Sequence, residues 1–232
     1  MNKPSFRTWT GYSQIVGGVL LLLYTVGVLG HTAAVTLPHM IWLTPGFLLL
    51  TATLATIPSV AVGRWKFMVW LAGAYGCTFA AEALGVATGL IFGHYEYGPT
   101  LGWSWLGVPL IIAFNWVVVV NGAVGIADRL VPATIKTGRR PALAMLAGLI
   151  ATVFDFIMEP VAIHLDYWRW PDNAVPSQNY VAWFVIAALA AALYPLPNRL
   201  SPQALAAGRL AGTFVVVQAA FFIALRIGWY FS

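Results

Sequence analysis

The chain has 232 residues, 60% of them hydrophobic and only 8% charged, with twelve bases, seven acids and a net charge of +5. A soluble domain carries about 25% charged residues, so this composition excludes a water-covered globule, and a mean hydropathy of +0.82 agrees. The basic excess needs no nucleic acid, because Lys- and Arg-rich cytoplasmic loops produce it; the single cysteine, Cys77, allows no internal disulfide and no Cys-based metal site, and is read as a small packing residue.

Seven hydrophobic segments follow in chain order, at about 12–31, 40–61, 67–92, 106–127, 142–164, 180–197 and 208–231. None shows the alternation of a barrel strand. Continuous apolar runs in lipid become helices, which satisfy their own backbone groups. The expected fold is all-α: one integral membrane domain over 1–232, a bundle of about seven transmembrane helices. The first segment follows Lys3 and Arg7, as in a signal peptide, and is read as a true span. Tyr194, Pro195 and Pro197 close the short sixth segment.

Basic residues set the expected orientation. Lys3, Arg7, Arg64, Lys66, Arg129, Lys136, Arg139, Arg140, Arg199 and Arg209 fall on one side, against Arg169 and Arg226 on the other. This places the N-terminus inside and the C-terminus outside a cytoplasmic (inner) membrane crossed several times. Two outer loops are rich in aromatic residues: Phe92, Tyr95, Tyr97, Trp103 and Trp105 in one, Tyr167, Trp168 and Trp170 in the other. An interfacial aromatic belt and a ligand site are both open for them.

Ionisable residues within spans are costly and are functional candidates by default. Glu82 lies about ten residues from the outer end of the third segment, and Asp155 about nine from that of the fifth, each roughly 13–15 Å deep. Asn115 in the fourth segment lies at the same level. Glu159 shares a helix face with Asp155, four residues away. Pro160 then removes a helical hydrogen bond and is expected to bend the helix, and His164 follows one turn outward. A carboxyl group in low dielectric favours its protonated form. Such a group is a proton donor in an apolar slot, and an ionised neighbour is its base. The same acids could instead bond across helices and only fix the bundle.

Other chemistries fit less well. The three lysines all fall in loops, against a Schiff base to retinal; the four histidines show no clustered spacing, against a di-iron oxygenase, and no metal is expected, a small site of His94, His164 and nearby acids being the lesser alternative. A proton-coupled transporter suits the buried acids, but no inverted repeat is visible. A non-catalytic lipid scaffold would leave the acids idle. Gly85 and Gly89, with Gly122 and Gly125, are expected to allow close helix contacts.

The stretch Glu82-Ala-Leu-Gly-Val-Ala-Thr-Gly-Leu-Ile-Phe-Gly-His-Tyr-Glu-Tyr97, with Leu106-Gly-Val-Pro109 after it, resembles the carotenoid biosynthesis membrane proteins of the CruF type. So do Asp155-Phe-Ile-Met-Glu-Pro-Val-Ala162, Tyr167-Trp-Arg-Trp170 and Asn179-Tyr-Val-Ala-Trp183. Tyr180 and Ala182 depart mildly from the pattern, where Phe and Gly are usual. The resemblance implies a cofactor-independent hydratase acting on a carotenoid with an acyclic (ψ) end group, such as lycopene, γ-carotene or a C50 bacterioruberin precursor, the basic net charge weighing weakly against the last. It would add water across the terminal C1–C2 double bond to give a tertiary alcohol. An end-group cyclase would begin with the same protonation and is the nearest rival. Joined to the acid layer, this reading makes Asp155 the acid, Glu82 the alternative donor and Glu159 the group that activates water, with Asn115 or His164 assisting. Tyr95, Tyr97, Trp116, Trp168 and Trp170 would face the cation, and Asn179 would join them at the substrate. The implied partners are the carotenoid, membrane lipid and other carotenoid-pathway enzymes.

Overall fold

The computed structural model describes residues 6–135, 137–197 and 201–230. Six α-helices carry them: α1 (Phe6–Thr32), α2 (Leu37–Thr88), α3 (Leu110–Leu130), α4 (Arg139–His164), α5 (Ser177–Ala192) and α6 (Pro202–Tyr230). Four two-residue strands lie between them: β1 (Glu96–Tyr97), β2 (Ser104–Trp105), β3 (Val108–Pro109) and β4 (Trp168–Arg169). Five helices are long and apolar enough to cross a membrane. The sixth segment, expected to be a span, is the 16-residue α5; it reaches roughly 24 Å, short of about 30 Å of hydrocarbon. An all-α multi-pass membrane protein therefore stands, with six helices in place of the seven expected.

The count drops because the second and third segments form one element. α2 holds 52 residues and would extend roughly 78 Å if straight. Instead Arg64, at φ 51 and ψ −136, leaves the helical conformation. The loop expected near 62–66 is this single residue. Near the start of α2, Thr44 and Tyr167 line one cavity; near its end, Glu82 accepts from Tyr95 and shares a cavity with Tyr97. Tyr97 in turn pairs with Trp168 across β1 and β4. Both ends of α2 thus meet one loop cluster, so the element doubles back at Arg64.

α2 stops at Gly89, whose φ of 68 and N–H bond to the Gly85 carbonyl (2.8 Å) make a left-handed cap. β2 and β3 form a hairpin through Leu106 and Gly107, both at positive φ (51 and 77), the geometry of a two-residue turn. That hairpin delays the fourth helix from residue 106 to 110. α4 runs on through Pro160 to His164. The C-terminal carbonyls of α5 are closed by Arg140, whose guanidinium donates to Ala192 O (2.7 Å) and Tyr194 O (2.9 Å), a cation at a helix C-terminus.

α3 is the central helix and is buried along most of its length. A Cβ on Gly122 would strike the Ala211 carbonyl of α6, and one on Gly125 the Gly208 carbonyl. Small residues here let two backbones touch, the main source of helix association in lipid. Gly125→Val is expected to wedge α3 from α6 and cost about 1–3 kcal/mol. Thermal unfolding in detergent checks this, and an unchanged midpoint would refute the close contact. Gly85 and Gly89 do other work than the helix packing expected of them. A Cβ at Gly85 would meet the Phe92 ring, and Gly89 is the cap.

Large apolar side chains cover the outside, among them Leu21, Leu22, Trp42, Leu49, Met68 and Val69; lipid is their solvent. Cys77 is among the exposed residues, so it does not pack within the bundle as expected. Lys3, Lys136, Arg199 and the Arg7 side chain lie outside what is described. Arg139 pairs with Asp128 at 2.6 Å near the end of α3 remote from the loop cluster.

Candidate active site

Two short sequences build the roof of the site. Tyr95-Glu96-Tyr97 and Trp168-Arg169-Trp170 each place a charge between two aromatic residues. Extended backbone sends alternate side chains to opposite faces, and β1 pairs antiparallel with β4 in the register Glu96↔Arg169 and Tyr97↔Trp168. The charges point outward, where Arg169 meets Glu96 at 3.6 Å and Asp166 at 2.6 Å. Of the residues open to a belt reading, Trp103 and Trp105 are exposed, whereas Phe92, Tyr167, Trp168 and Trp170 are buried.

Beneath this roof one small cavity of about 20 Å³ is lined by Glu82 from α2, Asp155 and Glu159 from α4, Trp116 from α3, and Asn179 and Trp183 from α5, together with Phe92, Tyr95, Tyr97, Trp168 and Trp170. That is room for a molecule the size of water. Glu82, Asp155, Glu159 and Asn179 are each at most 2% exposed. Glu159 accepts three hydrogen bonds: from Trp168 Nε1 (2.9 Å) and Trp170 Nε1 (3.1 Å) on Oε2, and from Asn179 Nδ2 (3.3 Å) on Oε1. The same Asn179 Nδ2 donates to Asp155 Oδ2 at 2.9 Å. Tyr95 donates its hydroxyl to Glu82 Oε2, and Tyr97 lines the cavity with them. Burial, and after it the charge of Glu82, raises both phenols above the usual tyrosine range, so they remain donors.

The aromatic lining is continuous. Trp116 stacks on Trp183 with centroids 3.6 Å apart, Phe92 stacks on the other side of Trp183 at 5.0 Å, and Tyr95 stacks on Trp170 at 4.9 Å. Trp183 belongs to the cavity but was not expected there, and Phe92, one of the rings left open between belt and ligand site, lines it too. For Trp183 the signal was available: it follows Asn179 by four residues, and so shares its helix face.

Two expected residues lie elsewhere. His164 is exposed and stacks on Trp229 at 4.0 Å. Nine residues from Asp155 is two and a half helical turns, which turns the ring to the opposite side. Asn115 shares the depth of the acids but faces a neighbouring slot, where its Oδ1 accepts from Gln218 Nε2 at 3.4 Å. Among the described residues, no group of three His, Cys, Asp or Glu side chains could hold a metal ion.

Residues 42–231, which contain every residue of this cavity, match the family model described as carotenoid biosynthesis protein. The chain belongs to that family. It is also similar to the bisanhydrobacterioruberin hydratase of Haloarcula japonica, at 28% identity over 192 residues, covering 78% of this chain and 61% of the relative. This chain therefore spans less than two thirds of that protein. No solved structure matches it.

This carotenoid biosynthesis protein has a second cavity beside the first. It is an apolar slot of about 220 Å³ between α1, the first half of α2, α3 and α6. Leu23, Val26, Leu43, Phe47, Leu48 and Phe222 are among its walls. Trp168 borders both cavities. Val26 and Leu43 are half exposed on the lipid side, so the slot meets the bilayer.

Proposed function

We propose that this protein is a carotenoid hydratase, a hydro-lyase that adds water across the terminal C1–C2 double bond of an acyclic (ψ) end group. The observation that carries the reading is the convergence of three buried carboxyl groups, from the doubled-back α2 and from α4, on one water-sized space lined by aromatic rings. Membership of a carotenoid biosynthesis family and similarity to a hydratase support it.

The polyene comes sideways from the bilayer through the slot and presents its tip to the cavity past Trp168. Asp155 transfers its proton to C2, the C1–C2 π bond supplies the electron pair, and a tertiary cation forms at C1. Water attacks C1 and gives its proton to Glu159. Three donors converge on Glu159, the setting of an ionised carboxylate, whereas among the described residues Asp155 accepts from Asn179 alone and keeps an oxygen for the proton. Asn179 bridges the two acids, and a proton returning from Glu159 to Asp155 restores the starting state. Glu82, which accepts from the Tyr95 phenol, is the alternative donor. The faces of Trp116, Trp168, Trp170, Tyr95 and Tyr97 stabilise the cation by about 0.5–2 kcal/mol each. Geometry comes first in such general acid–base catalysis.

The protein is placed in the cytoplasmic membrane with the N-terminus inside, which sets the carboxyl chamber toward the outer face. Other carotenoid-pathway enzymes then supply or consume its pigment. Expression in a host that accumulates lycopene or γ-carotene tests the function. The pigment is expected to gain the mass of one water for each end hydrated. A new product of unchanged mass would identify a cyclase, and unaltered pigment would refute the hydratase reading for those carotenes.

A further inference from the structure

The slot is walled mostly by hydrocarbon, yet two buried polar atoms in it have no hydrogen-bond partner among the described residues: His31 Nε2 and Gln218 Oε1. Gln218 is 1% exposed and His31 7%. Gln218 uses its Nε2 on Asn115 Oδ1, which leaves the carbonyl oxygen unpaired. His31 Nδ1 lies 2.7 Å from the Gly27 carbonyl. A carbonyl only accepts, so Nδ1 carries the hydrogen and Nε2 of the neutral ring is an acceptor. Both unpaired atoms therefore accept, and buried acceptors are costly to leave unmet. A pure hydrocarbon can meet neither. A hydroxyl, with its single hydrogen, can meet one of them.

We infer that the slot binds an acyclic isoprenoid chain carrying a hydroxyl group, which donates its hydrogen to Gln218 or His31. This rests on the proposed hydration for its biological source, because two alcohols then reach the site: the product, or a substrate already hydroxylated elsewhere along its chain. The binding chemistry is the same for both.

The test uses the full chain in lipid nanodiscs, titrated with a tertiary C20 isoprenoid alcohol, its methyl ether and the hydrocarbon of the same skeleton. Tryptophan fluorescence reports occupancy through Trp168. The alcohol is expected to bind about tenfold more tightly than the ether or the hydrocarbon, the size of one hydrogen bond. Gln218→Met combined with His31→Phe should erase that preference, read as the ratio of alcohol to ether binding in the same variant. Equal binding of alcohol and ether to the natural protein overturns the inference, and that comparison needs no variant to fold. A preference that survives the double substitution also overturns it.

Turnover separates the two sources. A lower KM for a mono-hydroxylated carotene than for its parent assigns the hydroxyl to the substrate. Equal KM with competitive inhibition by the alcohol assigns it to the product. An alcohol preference without hydration of any carotene sinks the hydratase reading and keeps the slot. Hydration without the preference does the reverse.

Discussion

Asp155→Asn is expected to abolish hydrated carotenoid, lowering turnover by about 10²–10⁴-fold, while the protein accumulates and unfolds as the natural one does. The reason for the split is local. Asn179 Nδ2 donates to Asp155 Oδ2 at 2.9 Å, and an amide carbonyl at position 155 accepts that bond equally well. The volume and the packing under the roof stay as they are. Only the transferable proton is gone. Product analysis by mass, with thermal unfolding of the same sample, checks both halves. Full activity would remove Asp155 from the mechanism. Glu82→Gln measured in parallel decides whether the phenol-bonded acid is the donor instead, and activity in both variants, and in a Glu159 variant, would end the acid–base scheme.

Glu159→Gln is expected to lose activity by a similar factor and, unlike Asp155→Asn, to lose stability as well. Trp168 and Trp170 both direct indole N–H groups at Glu159 Oε2, and Asn179 directs its amide at Oε1. A carboxylate accepts on both oxygens. A glutamine has one carbonyl, so either the two indoles or Asn179 must face its NH₂ group, donor against donor. Each buried donor left unmet costs about 1–3 kcal/mol. A lowered unfolding midpoint together with lost turnover is the expected pair of results. An unchanged midpoint would mean that the indoles find other partners, and retained turnover would show that another group takes the proton from water.

Much of the candidate site was legible in the sequence because charge in a lipid-soluble chain is rare enough to mark itself. Glu82, Asp155 and Glu159 needed only a count of residues from the ends of the apolar runs. Helical depth, however, is one coordinate of two. It put Asn115 level with the acids but could not show that the residue faces the slot, and it left His164 pointing away. The assembly of the roof was hidden for a different reason. Strands of two residues fall below any periodicity window, although Tyr-Glu-Tyr and Trp-Arg-Trp carry the alternation in miniature. The fold-back of α2 was visible as a gap near 62–66, but nothing in Gly63-Arg64-Trp65 announced that one residue at positive φ would make the turn. The short α5 was overestimated because its apolar run continues past the helix, into Tyr194 and two prolines.

α1 contributes nothing to the carboxyl chamber. It leans on α6, with Gly27 against Phe221 and Thr32 beside Gly228, and supplies Leu23, Tyr24, Val26 and His31 to one wall of the slot. It also precedes residue 42, where the family match begins. One wall of the slot thus comes from a helix that, among the described residues, lines no part of the chamber, while its other walls come from α2, α3 and α6. On the function proposed above, grafting a foreign first helix is expected to change how the polyene is gripped while Glu82, Asp155 and Glu159 keep their places.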